Sequence, residues 1–319
     1  MDTIIVDETG LTSNGTYNNS RGGTEMMAEK IQSVLEEMQL DDQINLIHSR
    51  VRDIDPDKKN VYVVHDTWRD PECGHLSIEE DRKRFDKIVF VSNQQLQSFH
   101  LGLGVPYSEG LVMKNSIEPI QLSPNDKPTD RINLIYHTTP HRGLELLVPA
   151  FEYLAEKYDN IYLDVYSSFK IYGWDHRDKE YKGLFARIKN HPRMTYHGYQ
   201  SNEVVREALK RSHIFAYPCI WPETSCIAAL EAMSAGCEIV CPNYEALPET
   251  TAGFALEYQF TEDVQEHLNI FACALEHSIR TIDSEYTKAK LKTAKTIIDT
   301  QYGWEVRREH WQQFFNSLV

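Results

Sequence analysis

Short apolar segments alternate along this chain with longer amphipathic segments, and the alternation predicts an α/β fold. The apolar segments, such as those ending at His65 and Ser92, have the length and β-branched content of buried strands. The segments between them carry apolar residues at helical spacing, as Met27, Ile31 and Val34 do. Strands and helices that alternate in this way form parallel sheets covered by helices.

A polar segment with two prolines, from Ser123 to Asp130, divides the predicted elements into two series. We interpret it as a linker and predict a first domain at 1–123, a second at 124–301, and a terminal helix at 302–319. The predicted strands are 3–7, 44–48, 60–65, 87–92, 110–114, 131–137, 162–166, 194–197, 214–218 and 238–241. The predicted helices are 24–38, 81–85, 94–101, 143–158, 181–190, 202–211, 225–235, 264–281, 285–301 and 304–319.

Composition narrows the class of protein. The chain has 319 residues, is 41% hydrophobic and carries a formal net charge of −15, which disfavours extensive binding to nucleic acid. No apolar run reaches the roughly 18 residues of a membrane-spanning helix, and the first residues lack a secretory signal. The six cysteines show no metal-ligand spacing. We therefore expect a cytoplasmic protein with reduced thiols and no bound metal.

The most distinctive pattern is a pair of acids, Glu223 and Glu231, placed eight residues apart around the start of an apolar helix. Eight helical residues rise about 12 Å, so two such carboxylates could hold two points of one elongated ligand. Thr224 and Ser225 are expected to cap this helix, whose first amides could bind an anion. A sugar nucleotide has the required shape. The spacing alone is equally compatible with a solvated Glu231 and with Thr224 and Ser225 that only cap the helix.

The residues around the acids resemble the retaining glycosyltransferases of family 4. That family has Glu-x7-Glu, then small residues, a glycine, a short strand and Pro-Glu, matched here by Glu223, Glu231, 234–236, 238–241 and 248–249. The resemblance implies a GT-B fold, with two Rossmann-like domains facing each other across a cleft. It also implies a small N-terminal domain, onto which the terminal helix 302–319 crosses back. In the family the first acid faces the donor sugar and the second holds the ribose. Glycines common after the first acid are replaced by Thr224, Ser225 and Cys226.

The loop after the predicted strand 131–137 joins a strand to a helix, where ligands of α/β proteins bind. Thr138 and Thr139 could donate hydrogen bonds there, and Arg142 could clamp a diphosphate. An ordinary loop with a surface arginine would look the same. The resemblance favours donor-phosphate binding by Arg142, and it places His137 where the family has a second basic residue.

In the first domain, Gly22 and Gly23 lead into a helix, where the backbone can approach a ligand closely. A simple helix start capped by Thr24 is the alternative. His65 ends an apolar strand, and its ring could hydrogen-bond a sugar hydroxyl. The resemblance implies that the glycines lie near the donor phosphates and that His65 lies near the donor sugar.

Two further residues follow strands of the second domain. Tyr199 comes after a strand and a glycine, where the resemblance places the nucleotide base, although core packing fits it nearly as well. Lys170 follows strand 162–166 and is a candidate for a second phosphate contact. A lone lysine is otherwise usually solvated.

The predicted activity is retaining, metal-independent transfer of a sugar from a UDP- or GDP-linked donor to a glycan, lipid-linked or other hydroxyl acceptor. Glu223, His65 and Arg142 are the predicted catalytic residues, and no cofactor is expected. A modified nucleobase stays open as acceptor because of the cations at 82–84. The alternatives are a sugar phosphorylase or epimerase on this fold, and a degenerate subunit that binds a partner.

Overall fold

The structure, a computed structural model, describes residues 12, 15–17 and 19–319, so the predicted strand 3–7 lies outside it. The described residues form two compact units. The first contains the described residues up to Ser116, together with Glu223–Ser225 and Trp304–Val319, and the second contains Ile117–Pro222 and Cys226–Gly303. Among the described helices, none is long and apolar enough to cross a membrane.

The described part of the first unit has a four-stranded parallel sheet in the order β1-β2-β3-β4. Its central strands are buried on both faces, as Val61 and Phe90 illustrate, which explains their continuous apolar sequences. The strands are β1 Ile44–His48, β2 Lys59–Val64, β3 Lys87–Phe90 and β4 Gly110–Val112. The helices are α1 Gly23–Glu37, α2 Glu79–Arg82 and α3 Asn93–Leu103, and the terminal helix described below also belongs to this unit.

The second unit has a six-stranded parallel sheet in the order β10-β9-β8-β5-β6-β7. The chain starts in the middle at β5, adds β6 and β7 on one side, and then adds β8, β9 and β10 on the other. Ligands of such doubly wound sheets bind outside the carboxyl ends of the strands, at this reversal between β5 and β8. The strands are β5 Ile132–Tyr136, β6 Ile161–Val165, β7 Met194–Tyr196, β8 Ile214–Ala216, β9 Glu238–Pro242 and β10 Leu256–Tyr258.

The remaining helices confirm most of the predicted ones to within a few residues. The elements that were not predicted include strand β10, the short helix α8, and two 3-10 helices that follow β6, Phe169–Tyr172 and Asp175–Tyr181. The helices are α4 Leu144–Ala155, α5 Lys182–Asn190, α6 Asn202–Lys210, α7 Ile227–Ser234, α8 Leu247–Thr250, α9 Val264–Thr281, α10 Glu285–Tyr302 and α11 Trp304–Asn316.

A glycine separates the last two helices. A Cβ at Gly303 would lie 2.5 Å from the carbonyl oxygen of Asp299, so only glycine fits this break without a shift of the backbone. After it, α11 packs within the first unit, where the ammonium of Lys30 lies 4.7 Å from the centre of the Trp304 ring. Trp311 and Phe315 of α11 are fully buried.

Candidate functional site

Four buried polar atoms lie at the carboxyl ends of β5 and β6 without a hydrogen-bond partner in the described part of the chain. They are Nε2 of His137, Oγ1 of Thr138, Nδ1 of His141 and Oγ of Ser167. Buried polar groups in native proteins are nearly always satisfied, so a cluster of exceptions calls for an explanation. The cluster lies at the carboxyl edge of the sheet, which is the edge where ligands of doubly wound sheets bind.

The loop after β5 holds Arg142 at this edge. Its Nε donates to the hydroxyl of Thr139 over 3.2 Å, and its Nη2 lies 3.4 Å from the hydroxyl of Tyr172. Gly143 ends the loop with φ of 121°, and a Cβ there would lie 2.1 Å from the carbonyl oxygen of Pro218. The glycine therefore lets this loop approach the chain that leaves β8.

His137 does not provide a second cation at this edge. Burial lowers the pKa of its ring to about 3, so the imidazole is neutral at neutral pH. The ring lies against Phe215, with their centres 4.5 Å apart. His137 can therefore hydrogen-bond a ligand but cannot neutralise the charge of one.

Glu231 is buried in α7, and two residues of α6 contact its carboxylate. Nδ2 of Asn202 lies 3.1 Å from each carboxylate oxygen, and Nη1 of Arg206 lies 3.0 Å from Oε1. Arg206 also donates to the carbonyl of Glu118 over 2.8 Å. The burial of the acid, with 4% of its surface exposed, is thus compensated by a guanidinium and an amide.

Lys170 and Tyr199, which follow neighbouring strands, lie near each other. The ammonium of Lys170 is 5.9 Å from the centre of the Tyr199 ring. The backbone amide of Lys170 is held by the hydroxyl of Ser168 over 3.0 Å, and Gly198 before the tyrosine has φ of +65°. The structure therefore groups both candidates at the β6–β7 side of the second unit.

In the first unit, Thr224 and Ser225 do not cap α7, which corrects the sequence prediction. The helix begins at Ile227, and its N-cap residue Cys226 makes no side-chain cap. The hydroxyl of Thr224 donates instead to the carbonyl oxygen of His65 over 2.8 Å. Tertiary hydrogen bonding therefore replaces the local capping that these residue types suggest.

The short segment Glu223–Ser225 is fastened at two more strand ends of the first unit. The hydroxyl of Ser92, after β3, donates to the carbonyl of Thr224 over 2.6 Å, and Nδ2 of Asn115, after β4, donates to that of Ser225 over 3.2 Å. Glu223 is buried, with 7% of its surface exposed. The predicted residues Glu223, Thr224, Ser225 and His65 are thus brought together.

His65 has a histidine partner that the sequence analysis missed. Nδ1 of His48, at the end of β1, lies 3.2 Å from Nε2 of His65, and their rings are stacked with centres 5.4 Å apart. Burial lowers the pKa of His65 to about 4 and holds that of His48 well below its usual range, with His65 as a second cause. Both rings are therefore neutral at neutral pH.

The glycine pair stands at the start of α1, which begins at Gly23 with Gly22 as its N-cap residue. Thr24 therefore lies inside the helix and is not its cap. The amide of Gly22 lies 3.3 Å from the hydroxyl of Ser20, and the carboxylate of Glu25 accepts from the amide of Tyr17 over 3.5 Å.

The three cations that kept a nucleobase acceptor open are each paired with an acid. Arg82 contacts Glu109 at 2.6 Å, Lys83 contacts Glu79 at 2.6 Å, and Arg84 contacts Asp81 at 3.3 Å. The positive charge of this segment is therefore locally balanced and offers little attraction to a phosphate backbone.

Comparison with solved structures identifies the class of fold. A glycosyltransferase from Rickettsia africae is 14% identical and aligns over 95% of this chain and 84% of that one, with a TM-score of 0.69. Anabaena Alr3699/HepE in complex with UDP-glucose is 16% identical over 82% and 73%, with a TM-score of 0.64. Sucrose-phosphate synthase from Thermosynechococcus elongatus is 14% identical over 90% and 72%, also at 0.64. The chain has the GT-B fold of these glycosyltransferases.

The sequence adds a family assignment for part of the chain. Residues 121–257 match the model of the family described as glycosyl transferases group 1. A search of curated proteins found no match. Apart from Glu223–Ser225, the matched segment lies in the second unit, and it includes both Arg142 and Glu231.

Proposed function

We propose that this protein is a retaining glycosyltransferase that moves a sugar from a nucleotide-diphosphate donor to a hydroxyl acceptor. The observation that carries the proposal is the cluster of unsatisfied buried polar atoms at the ends of β5 and β6, beside Arg142. These atoms lie inside the matched family segment, and a donor nucleotide would supply their partners. The complex of the Anabaena protein with UDP-glucose supports a uridine donor as the first to be tested.

The second unit would hold the nucleotide. Arg142 would clamp the diphosphate, with Thr138 and Thr139 as further donors and the first amides of α7, from Ile227 onward, as a source of partial positive charge. Glu231 would accept hydrogen bonds from the ribose hydroxyls, because its carboxylate is already oriented by Asn202 and Arg206.

The first unit would hold the transferred sugar and the acceptor. Glu223 would orient the sugar hydroxyls and His65 would hydrogen-bond one of them; the hydrogen bond from Thr224, the residue after Glu223, to the backbone of His65 supports this pairing. The start of α1 at Gly22 and Gly23 would offer backbone amides to the ligand.

The chemistry we propose needs no protein base. The acceptor oxygen bonds to the anomeric carbon on the face from which the diphosphate departs, while the bond from that carbon to the phosphate oxygen breaks. The acceptor proton passes to the departing β-phosphate oxygen. Arg142 would stabilise the negative charge that develops there, which is the largest electrostatic demand of the reaction.

The first experiment is calorimetric titration with UDP, GDP and ADP, in EDTA, of the wild type and of Glu231→Ala. We expect one nucleotide to bind and the variant to bind it at least about tenfold more weakly, because the ribose loses its acceptor. Glu223→Ala should retain binding and lose turnover. Equal nucleotide binding by wild type and Glu231→Ala would contradict the site.

The stereochemistry and the metal requirement are tested on the product. With the donor sugar that supports turnover, NMR of the first product should show the anomeric configuration of the donor, and EDTA should leave the rate unchanged. Inversion of the anomer would overturn the retaining mechanism, and loss of activity that a divalent cation restores would overturn metal independence.

A further inference from the structure

The segment that follows β6 is fixed at the carboxyl edge of the sheet by one acid. The carboxylate of Asp178 accepts from the amide of Phe169 over 2.8 Å and from the hydroxyl of Ser168 over 2.5 Å. These bonds tie the second of the two unpredicted 3-10 helices back to the start of the first. The segment 169–181 is therefore held at the end of β6, beside the unsatisfied polar atoms.

The segment contributes Phe169 to a row of three rings beside the loop after β5. Phe169 stacks on His141 with their centres 5.1 Å apart, and His141 meets Trp221 edge-on at 4.6 Å. A guanidinium lies at each end of this row. Arg177 is 4.3 Å from the centre of the Phe169 ring, and Arg142 is 5.6 Å from that of Trp221.

His141, the middle ring of the row, lies within the electrostatic reach of both guanidinium groups. Burial, and after it the nearby charges of Arg142 and Arg177, lower the pKa of His141 to about 3. Lys170 is not among these causes, and its ammonium faces Tyr199 instead.

Without a second cation, the positive charge of the proposed site does not balance the negative charge of a diphosphate. A nucleoside diphosphate carries more than one negative charge, and the neutral His137 leaves Arg142 as the charged member of the β5 loop that faces it. A second guanidinium across the ring row would complete the neutralisation, and its contact with Phe169 would preorganise it.

We propose that Arg177 is the second phosphate-binding cation of this site and serves the donor diphosphate in the place where the sequence pattern offers only His137. This inference rests on the proposed function, because it assigns a ligand of the same site. It also predicts which part of the nucleotide Arg177 recognises, namely the distal phosphate and not the base or the ribose.

The test compares Arg177→Gln with Lys179→Gln, a variant that removes the same charge from an exposed residue of the same 3-10 helix. Each protein is titrated with the diphosphate that the wild type binds among UDP, GDP and ADP, with the matching monophosphate, and with inorganic pyrophosphate. We expect Arg177→Gln to weaken diphosphate and pyrophosphate binding about tenfold or more and to leave the monophosphate within about twofold. Lys179→Gln should match the wild type.

The outcomes separate this inference from the proposed function. Wild-type protein that binds a nucleotide, with equal diphosphate affinity in Arg177→Gln, would overturn the role of Arg177 and leave the transferase proposal standing. An equal loss for mono- and diphosphate would also overturn it, since that indicates general damage to the site. Pyrophosphate binding that depends on Arg177, without binding of any nucleotide, would support the anion subsite and contradict the donor assignment.

Discussion

Nδ1 of His48 and Nε2 of His65 lie 3.2 Å apart in the interior of the first unit. Because burial keeps both rings neutral, one nitrogen of the pair donates and the other accepts, so the tautomer of one ring dictates that of the other. His48 is thus a positioning residue for the ring that we propose contacts the donor sugar.

The first prediction concerns this pair. His48→Leu should lower kcat about tenfold with little change in nucleotide affinity, because His65 loses its orienting partner while the residues that we propose bind the diphosphate belong to the second unit. His48→Asn can place an amide nitrogen near the Nδ1 position and should recover much of the rate. Steady-state kinetics and nucleotide titrations of both variants check this, and equal rates for the two substitutions would count against tautomer control.

The second prediction is a loss of stability in acid. His137 and His141 have pKa values of about 3 when folded, well below an unfolded histidine, so the unfolded chain binds more protons between those values. The free energy of unfolding is therefore highest above about pH 6.5 and decreases as the pH falls below it. The loss reaches at most about 2 kcal/mol per histidine at pH 5.

Urea unfolding followed across this pH range measures the effect. His137→Asn should flatten the dependence, whereas His277→Asn, at an exposed position of α9, should not. A wild-type protein that is equally stable at pH 7 and pH 5 would contradict the buried neutral histidines.

The third prediction concerns the buried ion pair of Arg206 and Glu231. Arg206→Met removes the guanidinium that pairs with the buried carboxylate of Glu231 and should destabilise the protein by about 3–5 kcal/mol. The double variant that also carries Glu231→Gln should recover most of that loss. Lys210→Met on the same helix breaks an exposed pair with Glu207 and should cost less than about 1 kcal/mol. A double-mutant cycle measures the coupling, and additive effects would show that the pair is energetically unimportant.

The fourth prediction concerns Gly143, which ends the loop after β5. Gly143→Ala should abolish measurable nucleotide binding, because its Cβ would collide with the carbonyl oxygen of Pro218 at a φ that side chains rarely adopt. Gly183→Ala in α5 meets nothing within 4 Å and should bind nucleotide as the wild type does, with stability unchanged or raised by up to about 1 kcal/mol. Normal titration of Gly143→Ala would mean that the loop can relax.

Sequence patterns predicted the buried strands and the long helices well. The continuous apolar segment of β2 and the helical spacing of apolar residues in α9 are both visible in the local sequence. Sequence patterns failed at the start of α7, where Thr224 forms a tertiary hydrogen bond in preference to a cap. Strand β10 is short and partly exposed, and the 3-10 helices of 169–181 have no helical periodicity, so neither gave a signal.

The residues of the candidate site also include some that the sequence predicted and some that it did not. Arg142 and Glu231 could be predicted because they stand at fixed distances from a glycine and from another acid. His48, Asn202 and Arg206 could not, since each contacts a residue 17 or more positions away and only folding brings the two together. Arg177 could not be predicted because it lies in a 3-10 helix without helical periodicity.

The division of the first unit among separate chain segments has a consequence for biosynthesis. The side chains of Trp311 and Phe315, which are fully buried there, are the last part of that unit to be translated. The amino-terminal segment of the unit therefore keeps an apolar surface uncovered during synthesis until α11 has been translated. The second unit is contiguous except for three residues, so it can finish folding first.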